Sequence, residues 1–230
     1  VHEPDDIRDD NPSVNPALLA YLEKEFVTSR YDIRHVFRLV LNSRTYQQSS
    51  IPRSEHPKAE SLFAHYIVRR LDAEVLYDAL GVLDGRGALY QSPVPEPFTF
   101  VPEYHRTIEL SDGSITSQFL EKFGRPGRDT GLELERDNEF SVDQSMYLLN
   151  SSEVQKRLTS SPRLREIARQ TGRNPEKSTR ALYRLLLTRA PTQQELATAL
   201  AYPGMEASQR QAFEDLAWAL INSKEFLYRH

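Results

Sequence analysis

NPALLAYLEKEFVTSRYDIRHVFRLVLNS, residues 15–43, is the stretch that decides the fold class. Asn15 stands where a helix N-cap is wanted and Pro16 at the first helical position, where its missing N–H costs nothing. Leu18, Leu19, Leu22 and Phe26 then recur at helical spacing, which predicts a helix over residues 16–28. The turn is TSRY. Asp32 opens a second helix with Ile33, Val36, Phe37, Val40 and Leu41 on one face. Two amphipathic helices joined by so short a turn form a helical hairpin, so the chain is expected to be mainly α.

The hairpin closes on LVLNS (39–43), and the phrase returns as YLLNS (147–151) and ALINS (219–223). Each is an apolar run, then Asn-Ser, then a return to Tyr46, Val154 or Phe226. A catalytic serine would need a base at a common offset, and no His or Lys recurs there. The phrases therefore read as helix punctuation. Asn150…Glu153 and Asn222…Glu225 carry the spacing of a capping box with Asn as N-cap, worth about 1 kcal/mol per cap. Thr45 stands in the Glu position of the first phrase.

Outward from these phrases the helical pattern continues. Asp72 is expected to cap a helix whose buried stripe is Leu76, Ala79, Leu80 and Leu83. A short helix is predicted near 115–123, and others near 142–149, 152–158, 164–170, 177–187, 193–201 and 207–220. Thr192 and Glu195 form a capping box after Pro191. Residues 1–12 read as an extended lead-in and 49–58 as a Ser/Pro loop. Residues 84–114 form an irregular Gly/Pro/aromatic excursion in which YHRTIEL (104–110) is the strand-like run. The expected fold is a mainly α, multi-helix globular domain spanning 1–230, with that excursion and at most a short β-hairpin.

Composition sets further bounds. The chain has 230 residues, enough to bury a sizeable core. Its net charge of −4 gives no long-range attraction to nucleic acid, and no apolar run is long enough to span a bilayer. Cysteine is absent, which removes disulfides, thiolate metal sites and covalent C-x-x-C-H haem attachment from this chain. The six histidines are scattered without metal-ligand spacing, so no metal site is expected; phosphate-loop and nucleophile-elbow patterns are also missing. No catalytic residue is assigned.

The densest charge cluster is RPGRDTGLELER (125–136), with Arg125, Arg128, Asp129, Glu133, Glu135 and Arg136. If LELER is extended, Glu133 and Glu135 share one face. Such a pair could hold a hard cation or act as acid and base; the plainer reading is a network of Arg–carboxylate pairs tying the loop to the helices. Tyr90, Phe98, Phe100 and Tyr104 could form an aromatic wall for a sugar, or anchor the excursion to the body. Arg69 and Arg70, before the Asp72 cap, could reach an anion; the plainer reading is a solvated pair.

In order, PDDIRDDNPSVNPALLAYLEKEFVTSRYDIRHVFRLVLNSRTYQQSS, RRLDAEVLYDAL, FGRPGRDTGLELER, QSMYLLNSSEVQKRL, LTRAPTQQEL and LAWALINSKEFLYRH run through the chain. Together they resemble the planctomycete-specific C-terminal domain of unknown function (domain of unknown function 1553) of planctomycete cytochrome c-type proteins. The resemblance implies an extracytoplasmic location, haem c only in upstream domains, and a lead-in cut close to the start of the domain. Where relatives often carry Cys-Glu-Cys, this chain has Leu132, Glu133 and Leu134, which favours packing over metal binding there. The expected function is a non-catalytic scaffold or interaction module contacting its upstream domains or a partner protein. The alternative is a polysaccharide-binding or hydrolytic site using Glu133 and Glu135 beside an aromatic-lined cleft.

Overall fold

The computed structural model describes residues 10–85, 89–90, 105–110, 115–125, 136–137, 141–205 and 210–229. It is mainly helical, with one two-stranded sheet of two-residue strands among the described residues. The chain divides into two compact units, residues 1–69 with His230, and residues 70–229.

In the first unit, α1 (Pro16–Thr28) and α2 (Ile33–Leu41) form the expected hairpin. The Asn15 side chain accepts from Leu18 N at 3.0 Å, and Asp32 accepts from Arg34 N at 2.9 Å. Arg30 and Tyr31 turn the chain with positive φ, and the Tyr31 ring meets Phe26 edge-on at 5.3 Å. His35 Nε2 lies 3.0 Å from Glu25 Oε2, tying the helices together. Neither helix buries a residue: Ile33 is 60% exposed and Phe37 59%.

The second unit holds the core. Strand β1 (Arg69–Arg70) pairs with β2 (Tyr228–Arg229) and leads into α3 (Ala73–Gly81). Then come α4 (Gln118–Lys122), α5 (Val142–Asn150), α6 (Ser152–Ser160), α7 (Pro162–Gln170), α8 (Pro175–Leu187), α9 (Gln193–Leu200), α10 (Arg210–Ile221) and α11 (Lys224–Leu227). Leu76, Leu80 and Leu83 of the predicted stripe are buried, while Ala79 is only half-buried. They join Phe119, Leu120, Phe123, Leu148, Val154, Leu182 and Ile221 in one cluster. Phe119 and Phe123 stack at 4.2 Å, and Tyr147 meets both rings edge-on.

Four expectations need correction. The capping residue of each Asn-Ser phrase is Ser, not Asn. Ser151 accepts from Val154 N at 3.2 Å, Ser223 from Phe226 N at 3.3 Å and Ser43 from Tyr46 N at 3.1 Å. Asn closes the helix before: Asn42 and Asn222 donate their amides to the carbonyls four residues back, at 2.7 and 2.9 Å. The shorter Ser hydroxyl reaches the amide three residues on, so Glu153 and Glu225 fall one position short of a capping box. Val154 and Phe226 do enter the core, but Tyr46 is half exposed. Second, Asp72 is an N-cap by backbone conformation, yet its side chain makes no cap hydrogen bond. Third, Thr107–Glu109 in the strand-like run forms a 3-10 turn because Asp78 accepts from both Thr107 N and Ile108 N, at 2.8 and 3.2 Å. Fourth, Arg70 is no solvated cation. It is 3% exposed.

The division of labour inside YLLNS is open to test. Ser151→Ala should cost about 1 kcal/mol. Asn150→Ala, at an exposed helix-final position, should change stability by less than about 0.5 kcal/mol. Urea denaturation of both variants measures the difference.

Candidate functional site

The second unit concentrates its buried charge around the first turn of α3. Glu74 has a side chain only 8% exposed and receives Arg136 in a two-pronged pair, Nη1 to Oε2 and Nη2 to Oε1, both at 2.8 Å. Arg125 Nε lies 3.3 Å from Glu74 Oε1, and Arg125 Nη1 donates to Ile115 O at 2.6 Å. Burial raises the Glu74 carboxyl, but the Arg136 hydrogen bond and the two guanidinium charges outweigh it and hold the group below its ordinary value.

Arg70 extends this lattice. Its Nη1 donates to Gln144 Oε1, and its Nη2 to Phe123 O and Asp137 O at 2.7 and 3.0 Å. Gln144 in turn donates to Lys122 O at 2.8 Å. One buried cation thus holds the end of α4, residue 137 and α5, with its guanidinium 5.5 Å from the Phe123 ring centre. Gly124 completes the arrangement at φ +89°. A Cβ there would sit 1.8 Å from Asp137 O, so only glycine lets the two backbones meet.

Sequence reasoning placed Arg125 and Arg136 in an Arg–carboxylate network, and both belong to one. Their common partner is Glu74, more than fifty residues earlier in the chain. Arg128, Asp129, Glu133, Glu135, Phe98, Phe100 and Tyr104 lie outside the described residues. Tyr90 packs beside the core, its hydroxyl 2.6 Å from Thr107 Oγ1, and burial pushes it up to about 12. Glu74 and Gln144 escaped notice, and Arg70 read as solvated, because the contacts that join these three to the network reach more than fifty residues along the chain. Their one local signal is a pair of charges flanking a helix start.

Two further clusters follow the same chemistry. Arg157 lies 4.5 Å over the Tyr77 ring and pairs with Asp84 and with Glu153, the latter at 3.2 Å; Glu153 also accepts from Tyr147 Oη at 2.6 Å. Arg189 spans Glu195 and Glu225, at 2.7 and 2.6 Å. Hydrogen bonds from Arg189, then from Thr192, lower the Glu195 carboxyl to about 2. Glu195 also lines a cleft of about 670 Å³, together with Tyr183, Tyr202, Trp218, Asp215 and Gln194. Among the described residues, no group of three His, Asp or Glu is placed to hold a metal. None of their helices is long and apolar enough to cross a membrane.

These features define a mainly helical domain whose buried ions fasten irregular backbone to helix ends. A family model described as PSD1, protein of unknown function (DUF1553), matches residues 1–202. The chain belongs to that family. No curated protein and no solved structure matches it.

Removing the Glu74 charge strands two cations, so Glu74→Gln should destabilise the fold by about 3–5 kcal/mol in chemical denaturation. Gly124→Ala should be poorly folded. The pH dependence has a fixed sign. Glu74 and Glu195 are lowered in the folded state, so their stabilisation is full above the ordinary value of 4.5. It fades as pH falls, for Glu195 down to about 2. A urea titration series through this range should show declining stability, and Glu195→Gln should remove part of the decline.

Proposed function

We propose that the chain is a non-catalytic helical interaction module, the C-terminal scaffold of an extracytoplasmic, cytochrome-associated planctomycete protein. Its partners are the upstream domains of the parent chain, which would carry haem c, or a separate protein. Family membership supports the setting. The observation that carries the reading is the α1–α2 hairpin. Its two helices bury no residue, and Ile33 and Phe37 on the apolar face of α2 are each more than half exposed. Contiguous exposed apolar surface of this kind marks contact with another protein. The charged groups of the second unit support it too, because Glu74, Glu153, Glu195 and Glu225 are each engaged by arginine.

A second reading, polysaccharide binding, is favoured by the cleft at Tyr183, Tyr202 and Trp218, where an aromatic wall meets polar edges. Glu195 does not suit the acid role of hydrolysis there, since a glycosidic acid needs a raised carboxyl and Arg189 holds this one low. The original pair for this reading, Glu133 and Glu135, would need its own test by Glu→Gln exchange.

The haem-bearing upstream region, supplied in trans, should co-elute with this chain in size-exclusion chromatography followed at the haem absorbance. The double variant Ile33→Glu/Phe37→Glu should abolish co-elution while the melting temperature stays within about 2 °C, because both side chains are exposed. Undiminished co-elution would refute the hairpin as the contact. Loss of the fold alone would be visible in the melt.

A further inference from the structure

A cavity of about 740 Å³ opens among α6, α7, α8 and the start of α10, on the second unit alone. Its floor is apolar, built from Leu158, Leu164, Met205 and Phe213; the first three are 2%, 4% and 2% exposed. Its lining carries four arginines, Arg165, Arg169, Arg173 and Arg210, against one carboxylate, Glu214. This sign is opposite to the chain's net charge of −4. A concave, low-dielectric wall bearing one sign of charge focuses the field and concentrates counter-ions.

The arginines are not equivalent. Arg210 is spoken for: it pairs with buried Glu214 and donates to Thr159 O, pinning α10 to the end of α6. Arg169 pairs with Glu166 on the exposed side of α7. Arg165 stands one helical turn before Arg169, is exposed, and makes no side-chain hydrogen bond or ion pair among the described residues. Arg173 is placed at the mouth by two successive left-handed residues, Gly172 at φ +62° and Arg173 itself at +58°. For a non-glycine residue that conformation is uncommon. Guanidinium groups above an oily floor match a ligand with a planar anionic head and an apolar body, since the fork binds carboxylate in two places. The volume lies in the range that encloses a small organic molecule.

From this combination we infer that the cavity between α6, α7, α8 and α10 is a binding site for an organic anion of the alkyl or aryl carboxylate class. The head meets Arg165 and its neighbours at the mouth, and the apolar body lies on Leu158, Leu164, Met205 and Phe213. This site is independent of the α1–α2 contact and of the aromatic cleft.

Isothermal titration of the full chain with sodium octanoate, octan-1-ol, octylamine and sodium sulfate tests the assignment. Octanoate should bind at least about tenfold more tightly than the alcohol or the amine, and sulfate should compete weakly. Arg165→Glu should weaken octanoate by about tenfold or more without lowering the melting temperature, as the side chain is exposed and unpaired. Ala168→Phe, which fills the cavity from α7, should abolish binding in a protein that still melts cooperatively. Equal binding of octanol or octylamine, full competition by sulfate, unchanged affinity in Arg165→Glu, or no octanoate binding would each overturn the assignment.

Discussion

An ionised carboxylate that is nearly removed from water must be neutralised, and Glu74 meets that demand with two arginines. Much of the second unit follows from it. Arg136 closes the charge-dense stretch of sequence and Arg125 opens it, shortly after α4, where it also takes the Ile115 carbonyl. The backbone at 124 and 137 can then close together only because Gly124 has no side chain. Arg70 fastens the same junction from the other side by gripping the carbonyls of Phe123 and Asp137. Buried ion pairs add little net stability compared with a well-packed apolar core. Their contribution here is positional: they hold residues 125 and 136 at the first turn of α3.

That distinction explains what the sequence made legible. Helix ends are local events, so Asn15, Pro16, Asp32 and the Thr192–Glu195 box could be read directly, and α1 and α2 start where their caps predict. Periodicity found the core stripe at Leu76, Leu80 and Leu83. Within each Asn-Ser phrase the punctuation was legible but its parts were transposed, because Asn and Ser are both good caps and only geometry chooses between neighbours. The candidate site was legible by half. Arg125 and Arg136 stood out through local charge density, whereas Glu74 resembled an ordinary acidic residue in a first helical turn. A partner 62 residues away leaves no mark on local sequence.

The first unit rests on different physics. Its hairpin is held by two caps, one aromatic edge contact and the Glu25–His35 pair, with Ala59 the apolar residue buried among those described. Propensity and capping alone leave helices of thirteen and nine residues marginal in water. A partner that covered the apolar face of such a hairpin would add order to it, and contact and folding would then be thermodynamically linked.

The glutamates of the second unit share one more regularity. Glu74, Glu153, Glu176 and Glu225 each stand two residues after an N-cap, as does Asp143, and every one holds a basic partner. The position accounts for the pattern. A glutamate at the third helical residue, such as Glu195, can fold back onto the cap amide, as it does on Thr192 at 2.7 Å. One residue earlier, the side chain makes no such return bond. It still sits in the favourable field of the helix N-terminus, which keeps it ionised and poised to attract a cation. Where the partner lies one turn along the same helix, as with Arg180, the pair reinforces that helix; Arg157 does this and also reaches Asp84 and Tyr77. Where it comes from afar, as Arg136 and Arg189 do, the helix start becomes a fastening point for distant chain. In YLLNS and ALINS the phrase therefore does more than stop one helix and begin another: Asn ends the first, Ser caps the second, and the glutamate two residues after Ser reaches a neighbouring element, Tyr147 for Glu153 and Arg189 for Glu225.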